Sequence, residues 1–337
     1  MNPSFDLVHT RWIPCVRDDG TGDELGLREV LAQAHELQEV AGESPLVTAA
    51  LYRLLLAVLH RVLGPRSYEN WGQLWAAGSW SMSQLDRYFE RWRSRFDLFH
   101  PERPFYQAAD ARVKPKSVSS LVHDVASGNN ATLFDHHTDA EGLALSPAQA
   151  ARLLLAAQSF GLAGLSGLPQ KFTDGPCARG IIFLVTGSSV FETLALNLVR
   201  YPEAAFMPHT PQDRPAWEMD DPFTPDRSVP YGYLDYLTWQ NRRILLLPES
   251  AGVQALVRQM TQAPGLRLDA GALDPLKHYR AHPDRGFLPL RFTEGRALWR
   301  DSAALFETER VGDAGRRDRP PLPFQWLSEL IRGDLLD

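Results

Sequence analysis

Ser44-Pro45-Leu46-Val47-Thr48-Ala49-Ala50-Leu51-Tyr52-Arg53-Leu54-Leu55-Leu56-Ala57-Val58-Leu59-His60-Arg61-Val62-Leu63-Gly64-Pro65 has the punctuation of one long helix. A serine cap and a proline at the first helical position open it, and Gly64 followed by Pro65 closes it. Residues 46–63 form the most apolar helical stretch of the chain, yet Thr48, Arg53, His60 and Arg61 interrupt it. Carrying those groups into hydrocarbon is costly, so the segment reads as the core helix of a folded domain and not as a membrane span.

Working outward, a second helix begins at Ser83-Gln84-Leu85-Asp86, with Leu85, Phe89, Trp92 and Phe96 recurring at helical spacing. A third starts at Ser146-Pro147, where Gln149 completes a capping box, and stops at Gly161. Residues 181–185 read as a buried strand, and Ser189 with Glu192 caps a helix through Val199. The Pro- and Asp-rich stretch 202–230 reads as an irregular loop. Residues 231–239 and 243–247 suggest a helix or strand pair, 251–262 a helix, and 286–299 a hairpin turning at Glu294-Gly295. The fold class expected is α+β: one large mixed domain over residues 1–308, with several core helices and short sheets. An exposed linker or loop follows at 309–323, and 324–337 starts a terminal helix whose Phe324, Trp326, Leu327 and Leu330 want a partner.

At 337 residues and 44% hydrophobic content the chain can bury a large core. The first ten residues lack the charge and apolar run of a secretory signal. Cys15 and Cys177, the only cysteines, fit a reducing cytoplasm and supply neither a disulfide framework nor a paired zinc spacing. The net charge of −6 excludes a protein that coats nucleic acid along its whole surface, because such binding relies on Lys and Arg displacing phosphate counterions. Any contact with DNA must be local.

Asp135-His136-His137, with His123-Asp124 upstream, resembles the metal-binding triplet of a phosphoesterase, but further Asp and His clusters on strand ends are lacking. Thr186-Gly187-Ser188-Ser189 could hold phosphate on backbone N–H groups, and reads better as an ordinary helix cap. No nucleophile elbow is present, and neither metal nor cofactor is expected. In Gly161-Leu162-Ala163-Gly164-Leu165-Ser166-Gly167 the helix end explains Gly161, leaving Gly164 and Gly167 surplus. On physics alone that stretch is a structural loop. The polar run Gly128 to His137 contains a single aromatic, Phe134, able to stack on a base.

These loops sit in a wider series: Phe5-Asp6-Leu7, Trp12-Ile13-Pro14, Phe99-His100-Pro101, Arg103-Pro104-Phe105-Tyr106-Gln107, Asn130-Ala131-Thr132-Leu133-Phe134-Asp135 and Gln158-Ser159-Phe160-Gly161. Asn197-Leu198, Pro215-Ala216-Trp217-Glu218, Asp274-Pro275, Tyr279-Arg280 and Arg296-Ala297-Leu298-Trp299-Arg300-Asp301 continue it. As a set they resemble the large subunit (CasA family) of the type I-E CRISPR Cascade surveillance complex, over nearly the whole chain. The resemblance implies a non-catalytic subunit that docks with guide RNA and the other Cascade subunits, reads the protospacer-adjacent motif in double-stranded target DNA, and recruits a helicase-nuclease. It implies that Asn130, Phe134, Asp135 and His136 form a loop contacting guide RNA or neighbouring subunits. Gly161, Leu162, Ala163 and Gly164 would form a glycine loop entering the DNA minor groove, with Arg267 or Lys277 as a basic finger. The family's glutamine wedge and C-terminal four-helix bundle would fall beyond Asp337. The alternatives are a metal phosphoesterase and a purely structural assembly adaptor.

Overall fold

The computed structural model describes residues 3–122, 143–200, 207–251, 254–293 and 318–336. The first half runs β1 (Ile13–Arg17), β2 (Gly22–Leu25), α1 (Leu27–Ala32), β3 (Leu37–Val40), α2 (Pro45–Leu63), α3 (Tyr68–Ala76), α4 (Met82–Arg91), β4 (Lys116–Ser117) and α5 (Pro147–Phe160). The second half runs α6 (Val190–Asn197), α7 (Tyr233–Leu237), β5 (Arg242–Ala251), β6 (Gln254–Pro264), β7 (Tyr279–His282), β8 (Gly286–Pro289) and α8 (Leu322–Arg332). This is the mixed α and β architecture expected.

Helix α2 is the axle. Ser44 accepts a hydrogen bond from the Val47 N–H at 3.4 Å, and every residue from Ala50 to His60 is buried. A helix apolar on all sides belongs inside a protein, and here α4, α5, α6, α7 and β3 surround it. Helix α5 carries the capping box read from the sequence, the Gln149 N–H donating to Ser146 Oγ and the Ser146 N–H to Gln149 Oε1. Its buried Arg152 donates to the Trp12 carbonyl at 2.6 Å and pairs with Glu24 and Glu43, fastening α5 to the first sheet, in which β2, β1 and β3 lie side by side.

The second sheet corrects one expectation. The helix expected over 251–262 is not found in its described residues: β6 pairs antiparallel with β5 from Arg242↔Pro264 to Ala251↔Gln254. A bulge at Arg258 shifts the register, so that Leu246 pairs with Met260 while Pro248 pairs with Val257. The bulge leaves Val257 and Met260 both buried three residues apart, and with Ala263, buried on the other side of the unbroken ladder, they imitate a helical period. Residues 181–185 form no ladder strand either. Only Ile182 bridges, to Lys277, although the flanking Ile181 and Phe183 N–H groups donate to the Leu290 and Leu276 carbonyls. Gly286–Pro289 does form a hairpin, but with the preceding Tyr279–His282, and the expected turn at Glu294-Gly295 lies outside the described residues. Helix α6 ends at Asn197, short of Val199.

The terminal helix finds its partner within the chain. Trp326 and Leu330 of α8 are buried, and Trp326 stacks on Tyr68 with ring centroids 5.3 Å apart and meets the Trp71 ring edge-on at 6.2 Å.

His60 lies in the core with its ring edge-on to Tyr233 at 4.9 Å, and burial pushes its pKa down to about 3 from 6.5, so it folds neutral. The unfolded chain binds that proton below pH 6.5 and the folded chain does not, so the contribution present above 6.5 is lost as pH falls toward 3. Half-buried Asp213, raised to about 6, acts in the opposite sense and is common to any His60 variant. The difference in urea-unfolding free energy between wild type and His60→Leu should therefore change by up to about 1.4 kcal/mol per pH unit below pH 6.5 and stay flat above it. Parallel pH profiles would refute a buried neutral His60.

Candidate nucleic-acid interface

The last turn of α5 ends in a pinned glycine. Gly161 donates to the Ala157 carbonyl at 3.1 Å, and a Cβ built on it would lie 2.3 Å from Arg242 Cζ and 2.6 Å from that same carbonyl. Its conformation is extended, so the need for glycine comes from lack of space, not from φ. Gly161 is buried and belongs to the anchor of the loop. That corrects its expected place on the probing surface.

Beyond the anchor the chain emerges. Leu162, Ala163, Gly164 and Leu165 are exposed, Leu165 to 85%. A set of hydrogen bonds holds this short segment. Arg242 Nη2 donates to the Leu162 carbonyl at 2.7 Å, and the Ala163 N–H donates to Asp174 Oδ1 at 2.8 Å. Gly164 and Phe172 exchange backbone hydrogen bonds at 3.3 and 2.9 Å, and Gly175 donates to the Gly161 carbonyl at 2.7 Å. The tip turns at Gly167, whose φ of +75° is the left-handed region that suits glycine. Gly164 differs from both other glycines: nothing lies within 4 Å of a Cβ added there, and its φ lies outside the left-handed region. Its missing side chain serves no purpose internal to the fold.

Beside the loop lies a cleft of about 760 Å³ whose lining includes Arg112, Lys171, Arg243 and Arg267 against a single carboxylate, Asp226. In a chain of net charge −6 this is a local concentration of positive charge. Each cation is placed differently. Arg112 donates to Asp110 at 2.6 Å, holding that carboxyl down to about 2, and to Gln170 Oε1 at 2.9 Å. Arg243 lies over the Phe223 ring at 3.9 Å. Arg267 is exposed, three residues past the end of β6, where Gly265 lets the chain press against Asn241 and Arg242. Lys171 is exposed on the returning arm of the loop.

Lys277 does not join them. It is buried, and its Nζ donates to the Pro176 and Ala178 carbonyls at 2.9 and 2.7 Å, so its charge is used inside the fold and the basic-finger assignment to it is withdrawn. Asn130, Phe134, Asp135 and His136, and the phosphoesterase candidates His123, Asp124 and His137, lie outside the described residues. Among the described residues no group of three His, Cys, Asp or Glu side chains could hold a metal ion. Burial pushes the thiols of Cys15 and Cys177 up to about 12, which keeps them neutral and unreactive. At Thr186-Gly187-Ser188-Ser189 the Glu192 carboxylate takes the Ser188 N–H at 2.6 Å, filling the helix start with negative charge and leaving no seat for phosphate.

Sequence reasoning missed Arg112, Arg242 and Arg243. The adjacent pair Arg242-Arg243 opens β5, and alternation along a strand sends one side chain inward beneath the loop and the other toward the cleft. Two arginines at the start of an apolar strand were the available signal.

The profile of CRISPR-associated protein Cse1 matches residues 6–335, and the chain belongs to this family. CasA/Cse1 of Thermus thermophilus is 40% identical over 314 residues, which cover 89% of this chain and 60% of that protein. The chain thus spans about three fifths of that relative's length. The crystal structure of Thermobifida fusca Cse1 superposes with a TM-score of 0.84 at 31% identity, covering 99% of this chain and 68% of that one. A chain of a CRISPR RNA-guided surveillance complex superposes with a TM-score of 0.78 at 27% identity, covering 96% and 68%.

Gly161 and Gly164 separate in their consequences for folding. Gly161→Ala should lower stability by about 1–3 kcal/mol, because Arg242 or the helix end must move, whereas Gly164→Ala should stay within about 0.5 kcal/mol of wild type. Chemical denaturation of the two variants measures the contrast. Equal losses would contradict the contrast between a crowded Gly161 and an open Gly164.

Proposed function

We propose that the chain acts as the large subunit of a CRISPR RNA-guided surveillance complex and reads the protospacer-adjacent motif of duplex DNA through Leu162, Ala163 and Gly164. The observation that carries this reading is Gly164 itself, exposed on a braced loop with open space where its side chain would be. A backbone of this slimness suits the narrow minor groove, where the donor and acceptor pattern is degenerate and tolerant reading follows. Lys171 and Arg267 would meet flanking phosphates, which position the duplex without reading its sequence. Family membership supports guide RNA and sibling subunits as partners, with most of the affinity arising from the assembled complex. In this reading the chain performs no catalysis and needs no cofactor: it marks the target and hands it to a helicase-nuclease.

The test is Gly164→Tyr in the complex assembled with guide RNA. Co-purification of the subunits should be unchanged, while affinity for motif-bearing duplex falls at least about tenfold, one good groove contact being worth about 1–3 kcal/mol. Wild-type affinity would reduce the chain to an assembly adaptor. Separately, Lys171→Ala and Arg267→Ala should each lower the slope of log affinity against log salt by about 0.9, the signature of one lost phosphate contact. Salt titration of binding reads this directly, and an unchanged slope for both removes the cleft from the interface.

A further inference from the structure

Arg242 is only 3% exposed, lies beneath the exposed loop, and has no carboxylate within ion-pair distance among the described residues. Its backbone is clamped to α5, the Arg242 N–H donating to Gln158 Oε1 at 3.1 Å and Gln158 Nε2 donating to the Arg242 carbonyl at 2.8 Å. Its side chain passes under Gly161, lies over the Phe172 ring at 5.3 Å, and reaches the Leu162 carbonyl with Nη2. Nη1 is buried with no hydrogen-bond partner. The opposing charge that acts on it, Asp174, is already engaged by Arg179 Nε at 2.7 Å.

A guanidinium taken out of water without a counter-ion is costly, and holding the Leu162 carbonyl needs only a neutral donor. An amide would brace the loop with a smaller desolvation penalty. The charge is instead held against the Leu162 carbonyl at the root of the exposed segment, in a low-dielectric setting that screens it poorly from anything arriving above. The arriving species that would complete it is an anion running alongside the loop.

We infer that Arg242 is a positioning residue for DNA: it braces the Leu162 carbonyl and supplies, from beneath the glycine loop, an unneutralised positive charge that is balanced by the phosphate backbone of bound duplex. This rests on the proposed reading of the loop. Unlike Lys171 and Arg267, Arg242 need not touch the phosphate. Its effect travels through the loop it braces, a role for the charge that holding the Leu162 carbonyl does not require.

The test compares Arg242→Gln, Arg242→Met and Arg242→Lys in the complex assembled with guide RNA. Gln keeps a donor for the Leu162 carbonyl and loses the charge, Met loses both, and Lys keeps the charge. Affinity for motif-bearing duplex should fall about tenfold or more for Gln and for Met and remain within about threefold of wild type for Lys, with thermal melting of the Gln variant no lower than that of wild type. Wild-type affinity in Arg242→Gln would overturn the inference and leave Arg242 a structural brace. So would equal losses in all three variants, which would assign the effect to the shape of the guanidinium fork. A second measurement covers the case in which a variant folds poorly. With wild-type protein, replacing single DNA phosphates near the motif by neutral methylphosphonates should weaken binding at one position at least, and that penalty should shrink in whichever charge-removing variant folds. No sensitive phosphate, or an undiminished penalty, counts against the inference. Failure here with Gly164→Tyr still impaired removes only the role of Arg242, whereas a silent Gly164→Tyr removes the loop's role itself.

Discussion

One buried ion pair ties the two halves of this chain together. Arg53, in the middle of α2, reaches Asp274 Oδ2 at 3.3 Å and donates to the Tyr236 and Leu237 carbonyls at 2.7 and 2.9 Å. Asp274 also accepts from the Tyr236 hydroxyl at 2.8 Å and the Leu276 N–H at 2.8 Å, and its own N–H donates to the Tyr279 hydroxyl at 2.7 Å. With side-chain exposures of 3% and 0%, neither charge has solvent to fall back on. Such a pair contributes little net stabilisation, yet losing one member strands the other at about 3–5 kcal/mol. The pair thereby couples α2 to α7 and to the segment leading into β7.

From this hub the constraint reaches the loop. Three residues after Asp274, Lys277 holds the Pro176 and Ala178 carbonyls, and between them Cys177 donates its N–H to the Ser159 carbonyl at 2.8 Å in the last turn of α5. The departing and returning arms of the glycine loop are therefore fixed on the same scaffold. Lys277 acts from inside, by setting where the loop returns, and the exposed cations stand on elements that β5 and β6 position. At Gly164 the loop has no side chain of its own to fix its path, so its placement rests on these backbone hydrogen bonds.

Several of the segments that carry the family resemblance turn out to be structural. Phe5 and Leu7 exchange backbone hydrogen bonds with Leu98 and Phe96, and Asp97 Oδ1 accepts from the Phe5 and Phe99 N–H groups at 2.9 Å each. Gln107 links the Leu98 carbonyl to the Leu246 N–H of β5, while Phe105 and Trp217 pack on Phe96 and Tyr106 packs on both of them. These residues join distant stretches of chain, which is a demand of the fold and not of the interface.

Local punctuation was enough to place α2 and α5, since Ser44-Pro45 with Gly64-Pro65 and Ser146-Pro147 with Gly161 act on their own neighbours, and burial of α2 along its length followed from its composition. The same local logic separated Gly161, explained by a helix end, from the surplus Gly164. What pairing decides was beyond it. The bulge that made β6 look helical, the burial of Lys277 and the gathering of Arg112, Lys171, Arg243 and Arg267 around one cleft each depend on contacts between separate segments of the chain. Sequence by itself determined which segments must bury apolar surface and where helices must start and stop, because those are short-range effects of side chain on adjoining backbone. Only tertiary structure decided which charges are used inside the protein and which remain available to a partner, because a charge is neutralised by whatever the fold brings within a few ångströms of it.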